Sequence, residues 1–276
     1  MTEPANSERI LREQYKDASK LNARARLHAE FSTNKYGWMR WVFDQIDLPE
    51  RCRILELGCG PGWLWKENLR RIPAGWDITL SDFSPGILAE AKAALADAVR
   101  AFSFEVVDAQ AIPFDDEAFD AVIANHMLYH VPDLDTALVE IRRVLSPGGR
   151  LYATTNGTGH MKELRDLVRP LAPDLPFIQD PLPNLFGLEN GADKLRQFFC
   201  DVARLRYEDA LEVPKTEPLV AYAVSVRGAK EAFPDAKVIE LRRLIDKRIA
   251  SEGVLHVTKS AGLFVATRAD GRGRRP

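Results

Sequence analysis

His126, Tyr129 and His130 stand together in NHMLYHVPD, directly after an apolar run that ends at Asn125. Imidazole exchanges protons near neutral pH, so histidines at the end of a buried strand are candidates for general-base chemistry. His126 is the preferred one because it lies nearest the strand end. His130, ahead of Val-Pro-Asp, serves as well for a base as for the cap of a short helix. His160 follows the next apolar run. The H-x-x-x-H spacing of His126 and His130 suits a metal on a helix, but the glutamate of H-E-x-x-H is missing and no carboxylate lies between them, so no metal is expected. Upstream, Tyr15 joins His126 and His130 as a catalytic candidate, while His28 reads as an exposed helix residue.

A second group has the types and spacing of a ligand cradle. ILELGCGPGWLW, residues 54–65, holds E-x-G-x-G-x-G from Glu56 through Gly58, Gly60 and Gly62. Bare glycines at alternate positions let the backbone approach a ligand, and the following helix start favours an anionic group. A dinucleotide fingerprint needs a third glycine where this chain has Trp63, and indole bulk there opposes it. Cys59 inside the turn reads as a small packing residue, since no histidine is near in sequence to activate it. Asp82 ends the next apolar run, about 24 positions after Gly58, close to the offset at which a carboxylate reaches ribose hydroxyls. Asp108 ends the run after that, where it can accept from an exocyclic amine. The alternatives are a tight turn without ligand and, for each aspartate, an N-cap or turn role.

These residues need elements to hold them. RILELG, DITLSDF, FSFEVVDA, FDAVIANHML and RLYATT are short runs, apolar on both faces, alternating with helical patterns. Such runs are buried parallel strands joined by crossover helices, and the class is α/β, doubly wound. One helix is capped by Ser84 with Pro85 at its first position and turns Ile87, Leu88, Ala91, Leu95 and Ala98 inward. Another buries Leu134, Leu138, Ile141 and Leu145 and is stopped by SPGG at 146–149. Residues 1–50 read as two helices capping the first strand, the second with Trp38, Trp41, Val42 and Ile46 at helical spacing. That pair of tryptophans suits a core stripe better than an aromatic wall for a ligand. Pro170, Pro173, Pro176, Pro181 and Pro183 make 157–198 an insertion or lid without a regular helix through 170–183. Residues 199–268 read as strands near 203–213 and 254–268 around a helix near 237–250, and 269–276 as a solvated tail.

Composition narrows the partners. The chain has 276 residues, 38 Lys and Arg against 40 Asp and Glu, and a net charge of −2. It is long enough for one large α/β domain with insertions, and it has no overall field to attract nucleic acid or acidic lipid. The charged N-terminus lacks the apolar core of a signal peptide, and no later run approaches the roughly 18 apolar residues of a membrane span, so a cytoplasmic protein is expected. Three cysteines, Cys52, Cys59 and Cys200, lack zinc-like spacing and fit a reducing compartment.

ELGCGPG, SDFSPGIL, DAQAIPFDDEAFDAVIANHMLYHVPD and RVLSPGG, in that order over residues 51–156, resemble the motifs of class I S-adenosylmethionine-dependent methyltransferases of the small-molecule type. The resemblance implies a seven-stranded Rossmann-like sheet of order 3-2-1-4-5-7-6 with its last strand antiparallel. It implies that Gly58, Gly60 and Gly62 line the methionine and ribose of S-adenosylmethionine, that Asp82 holds the ribose hydroxyls, and that Phe83 lies against the adenine. Asp108 and Ala109 would meet the adenine edge, Asn125 would sit beside the methyl-bearing sulfur, and Tyr15 would close over the methionine carboxylate. Glu56 and Cys59 complete the expected cofactor set.

Methyl transfer from a sulfonium is an in-line displacement, promoted by holding acceptor and methyl in near-attack geometry and by excluding water. A lid is therefore expected from residues 1–50 and 157–198, above the sheet edge where ligands bind in this architecture. The acceptor is expected to be a small molecule reacting at O, N or C. The rivals are an NAD-dependent dehydrogenase, which Asp82 would serve equally and Trp63 opposes, and a non-catalytic S-adenosylmethionine-binding protein.

Overall fold

The computed structural model describes residues 19–98, 102–175, 178, 184–226 and 228–270, excepting the side chains of 19–23, 230 and 231. Tyr15, the tail beyond 270 and Pro176, Pro181 and Pro183 lie outside the described residues. Among the described residues two helices come first, α1 (Ser19–Phe31) and α2 (Trp38–Asp44). The alternation then begins with β1 (Arg51–Leu57), α3 (Trp63–Asn68), β2 (Gly75–Asp82), α4 (Pro85–Ala94) and β3 (Ser103–Val106). β4 (Phe119–Asn125), α5 (Leu134–Val144) and β5 (Leu145–Asn156) continue it. After α6 (Lys162–Val168) and α7 (Gly191–Leu195) come β6 (Cys200–Tyr207), β7 (Ala210–Val213) and α8 (Thr216–Ser225). The short α9 (Ala229–Ala232), the long α10 (Asp235–Glu252), β8 (Leu255–Thr258) and β9 (Ala261–Thr267) complete the described fold.

Seven strands form one sheet in the order β3-β2-β1-β4-β5-β9-β6. β9 runs antiparallel to both β5 and β6, and the other pairs are parallel. With β9 as the seventh strand of the sheet, this is the expected order with its reversed last strand. The central runs are buried on both faces, as crossover helices require: Ile54, Ile78 and Ile123 face one apolar cluster, Leu55, Leu57 and Val122 the other; β3, at the sheet edge, is largely exposed, contrary to the expectation for FSFEVVDA. Ser84 caps α4 as expected, accepting the Ile87 N–H.

The boundaries differ in places. α4 ends at Ala94 rather than running to Ala98, because Ala96 and Ala98 donate three residues back and tighten the chain into turns. Leu145 and the SPGG segment belong to β5, not to the end of α5; Gly148 and Gly149 bond across to Arg268 beyond β9. The strand expected over 203–213 is two strands. β6 joins the main sheet, whereas β7 pairs with β8 in a separate two-stranded ribbon. The stretch 254–268 is likewise two strands, since β8 and β9 pair with different partners.

That division has a packing cause. Leu27 and Phe31 of α1, Leu164 and Val168 of α6, Leu211 and Val213 of β7, Leu219 of α8, Leu241 and Ile245 of α10, and Leu255 and Val257 of β8 form a second apolar core. The segments before and after the alternating unit thus bury their apolar faces against one another. The last part of the 157–198 stretch goes elsewhere: Phe186 packs on Phe264 of β9, and Thr155 Oγ1 donates to the Phe186 carbonyl at 2.6 Å.

Candidate functional site

Glu56, Asp82 and Asn125 lie at the carboxyl ends of β1, β2 and β4, and the other candidates within the described residues follow the ends of parallel strands, at the edge where open α/β sheets bind ligands. After β1 the chain turns through Gly58, Gly60 and Gly62, whose φ values are +63°, +56° and +75°. Residues with a Cβ adopt this region at a cost, which explains glycine at all three. Their surroundings separate them. A Cβ on Gly58 would meet Met127 Cβ at 2.8 Å and one on Gly62 would press on Leu95 at 3.1 Å, while one on Gly60 would meet nothing within 4 Å. Gly58 and Gly62 are required by packing, and Gly60 presents bare backbone to open space.

Asp82 braces this turn from the neighbouring strand. Its Oδ2 accepts the Gly60 N–H at 3.1 Å and its Oδ1 accepts the Ser84 N–H at 2.9 Å. Burial raises its pKa against the opposing effect of those N–H groups. Cys59 is buried, and its N–H bonds the Ser81 carbonyl at 2.8 Å. Burial, then the charges of Glu56 and Asp82, push its thiol pKa well up, so the packing role read for it fits. Asp108 lies two residues beyond the end of β3, not at its last residue, because Asp108 bridges to Ala111 in a turn of its own. Its Oδ1 accepts the Gln110 N–H at 2.9 Å. Ala109 is buried and Phe83 half-buried beside these turns.

Glu56 and Asn125 meet beneath the turn. Glu56 is buried and takes the Trp65 indole N–H on one oxygen and the Asn125 amide on the other, at 3.1 Å. Asn125 in turn accepts from Thr154 Oγ1 at 3.1 Å, and that hydroxyl accepts the His126 backbone N–H at 2.9 Å. The relay ties β1, β4 and β5 together. Burial pushes the Glu56 carboxyl up to about 7, against the two donated hydrogen bonds.

Four of the chain's five histidines gather over the same edge. His126 turns out of β4 with φ +51°, a left-handed conformation that non-glycine residues rarely adopt and that recurs at functional sites. Its ring lies 5.2 Å from that of Trp38 and 6.3 Å from that of Tyr129. His130 ends the short turn Leu128–His130, 4.6 Å from Tyr129. His160 stacks on His28 at 5.7 Å, and His28 meets the edge of Tyr222 at 5.9 Å. His28 is therefore not an exposed helix residue: α1 packs across the edge and carries it inward. Trp38 stacks on Trp41, and both lean on Tyr207, so the pair is at once part of the packing and the neighbour of a candidate base.

Burial is the leading cause that lowers all four imidazoles: His28 and His130 to about 3, His126 to about 4 and His160 well below its ordinary value. Lys259 adds to the shift at His28, His126 and His160, and Arg24 at His28 and His130. All four are neutral at physiological pH. Lys259 is itself paired with Asp209, which also accepts from Ser32 and from the Asn34 N–H at 2.9 Å. Sequence reasoning missed Lys259, Asp209, Tyr207 and Tyr222. Nothing in their spacing marks them, because β6, α8, β8 and β9 bring them to the edge only on folding. Among the described residues no three His, Cys, Asp or Glu side chains are placed to hold a metal ion.

Fold and site define a doubly wound α/β protein with a glycine cradle and a braced carboxylate at the sheet's switch edge. Residues 55–153 match the family described as methyltransferase domain. The chain is 36% identical over 124 residues to malonyl-[acyl-carrier protein] O-methyltransferase of Erwinia billingiae, covering 45% of this chain and 46% of that protein. It is 35% identical over 113 residues to the ubiquinone/menaquinone biosynthesis C-methyltransferase UbiE of Desulfotalea psychrophila, covering 41% and 45%. These matches thus span less than half the length of either relative. Haemonchus contortus phosphoethanolamine N-methyltransferase 2, solved with phosphomonomethylethanolamine and S-adenosylhomocysteine, shares the fold at TM-score 0.59 and 19% identity over 97% of this chain and 61% of that one. Residues 55–153 thus carry the pattern of a methyltransferase domain. Among the described residues no helix is long and apolar enough to cross a membrane.

Proposed function

We propose that the protein transfers a methyl group from S-adenosylmethionine to a small organic acceptor. The observation that carries this reading is the Gly58–Gly62 turn: three left-handed glycines after β1, with Gly60 open to space and its N–H held by Asp82. The residues present fit the cofactor. On this reading the turn lets backbone approach the methionine and ribose, the Asp82 carboxylate accepts from ribose hydroxyls, and Phe83, Asp108 and Ala109 take the adenine.

When bound, S-adenosylmethionine supplies a sulfonium methyl open to in-line attack. The chain's own contribution is to bind, orient and dry the site. α1 and α2 close over the edge through the His28–His160 and Trp38–His126 contacts, which supports a covering role for the N-terminal helices. His126 is the candidate base. The lowered pKa keeps its ring unprotonated across the neutral range, at the expense of driving force for the proton. His130 and Tyr15 are further candidates for handling that proton or closing the site.

Calorimetric titration with S-adenosylmethionine, S-adenosylhomocysteine and NAD tests the reading. Micromolar binding of the first two without NAD is expected. Binding of NAD alone overturns it, and cofactor binding without turnover across acceptors reduces it to a binding protein.

A further inference from the structure

Polar atoms around His126 are left unsatisfied by the protein. Trp38 Nε1, His126 Nδ1 and His28 Nδ1 are each buried with no hydrogen-bond partner. Buried polar groups are rarely left so, because the desolvation penalty stands unless a ligand or water answers it. The indole nitrogen is only a donor, and a neutral imidazole Nδ1 donates in one of its two tautomers. The group that answers all three is one with several acceptor oxygens.

Charge narrows the chemistry. Among the described residues, the charged side chains acting on His126, His130 and His160 are Lys259, Arg24 and Arg165, all positive. A carboxylate, Asp209, acts on His28 alone, and it is already paired with Lys259. A positive, donor-rich, poorly solvated space favours an anion. Trp38, Trp41 and Tyr207 pack on one another beside His126, so the surroundings are aromatic and suit a planar body.

We propose, on the reading of the protein as a methyltransferase, that its acceptor is a planar organic acid whose carboxylate is held by Trp38 Nε1 and the imidazoles of His28 and His126. A carboxylate fits better than a phosphate monoester: the fixed donors are neutral ring N–H groups, which match a single negative charge spread over two oxygens.

The test is calorimetric titration of the full chain, saturated with S-adenosylhomocysteine, with benzoate, benzamide and phenyl phosphate. Benzoate is expected to bind at least about tenfold more tightly than benzamide, which keeps the ring and loses the charge. Trp38→Phe, which keeps an aromatic face and removes the N–H, is expected to weaken benzoate about tenfold and leave S-adenosylhomocysteine affinity unchanged. His28→Leu serves as the second variant with the same expectation. Equal binding of benzamide, tighter binding of phenyl phosphate, or variants that bind benzoate as the parent does would each overturn the proposal. If S-adenosylhomocysteine itself fails to bind, the methyltransferase reading falls, and the same benzoate and benzamide titrations on the chain alone still decide the acid site.

Discussion

The Asp82 carboxylate accepts the backbone N–H of Gly60 at 3.1 Å, so the second strand fixes the shape of the turn that follows the first. The same carboxylate bonds Ser84 at the start of α4, and one oxygen on each side leaves it half-exposed between turn and helix. Asp82→Ala is therefore expected to weaken S-adenosylhomocysteine by about 1.5–3 kcal/mol, the worth of hydrogen bonds to a charged group. Calorimetry measures the loss, with circular dichroism as the control for folding. Unchanged affinity in a folded variant would remove Asp82 from the site.

The glycines of the turn should separate in their responses. Gly60→Ala puts a methyl group into open space at φ +56°, at a backbone cost of about 1–2 kcal/mol, and that methyl occupies the volume a cofactor would need. Gly62→Ala meets Leu95 at 3.1 Å, away from that space. Both variants should lose some thermal stability, but only Gly60→Ala should lose cofactor affinity by tenfold or more. Equal affinities for the two would show that Gly60 does not face the ligand.

The central unit could be read from the sequence because its signals are local. Short apolar runs, a Ser-Pro cap at 84–85 and alternate glycines after Glu56 each act within a few residues of themselves. The ribbon of β7 and β8 was not legible, since a four-residue strand such as LHVT carries no mark of the sheet it joins. His28 was misjudged for the same reason: its helix has only a weak apolar stripe, and what buries His28 is the loop after β5, far away in sequence. The relay from Trp65 through Glu56 to Asn125 was invisible too. The resemblance placed Glu56 and Asn125 in one site, but their mutual bond depends on the pairing of β1 with β4.

His126→Ala tests whether a proton is taken from the acceptor by this ring. If it is the base, single-turnover methyl transfer should fall by about 10² or more with cofactor affinity unchanged, since general-base catalysis contributes on that scale. His126→Gln, which keeps a polar group there but cannot take the proton, should fall as far. A rate that barely moves in either variant would mean that catalysis rests on positioning alone.

Stability should depend on pH through two opposed groups. The Glu56 carboxyl, raised to about 7 from 4.5, holds its proton more tightly in the folded state, so its contribution is present at low pH and is lost as pH rises from about 4.5 through 7. The loss is about 3 kcal/mol. The four edge histidines act the other way: with folded pKa values depressed, they hold stability above about 6.5 and lose it as pH falls towards 4. Below pH 6.5 four groups oppose one, so the parent protein should melt at lower temperature at pH 5 than at pH 7. Glu56→Gln isolates the carboxyl. At pH 8 it should be more stable than the parent by about 2 kcal/mol, the gain from removing a buried charge less about one hydrogen bond where the introduced amide opposes that of Asn125. At pH 5 that advantage should vanish, because the parent's carboxyl is then protonated. Thermal melts of both proteins from pH 5 to 8 measure this, and parallel curves would show that Glu56 titrates as an ordinary carboxylate.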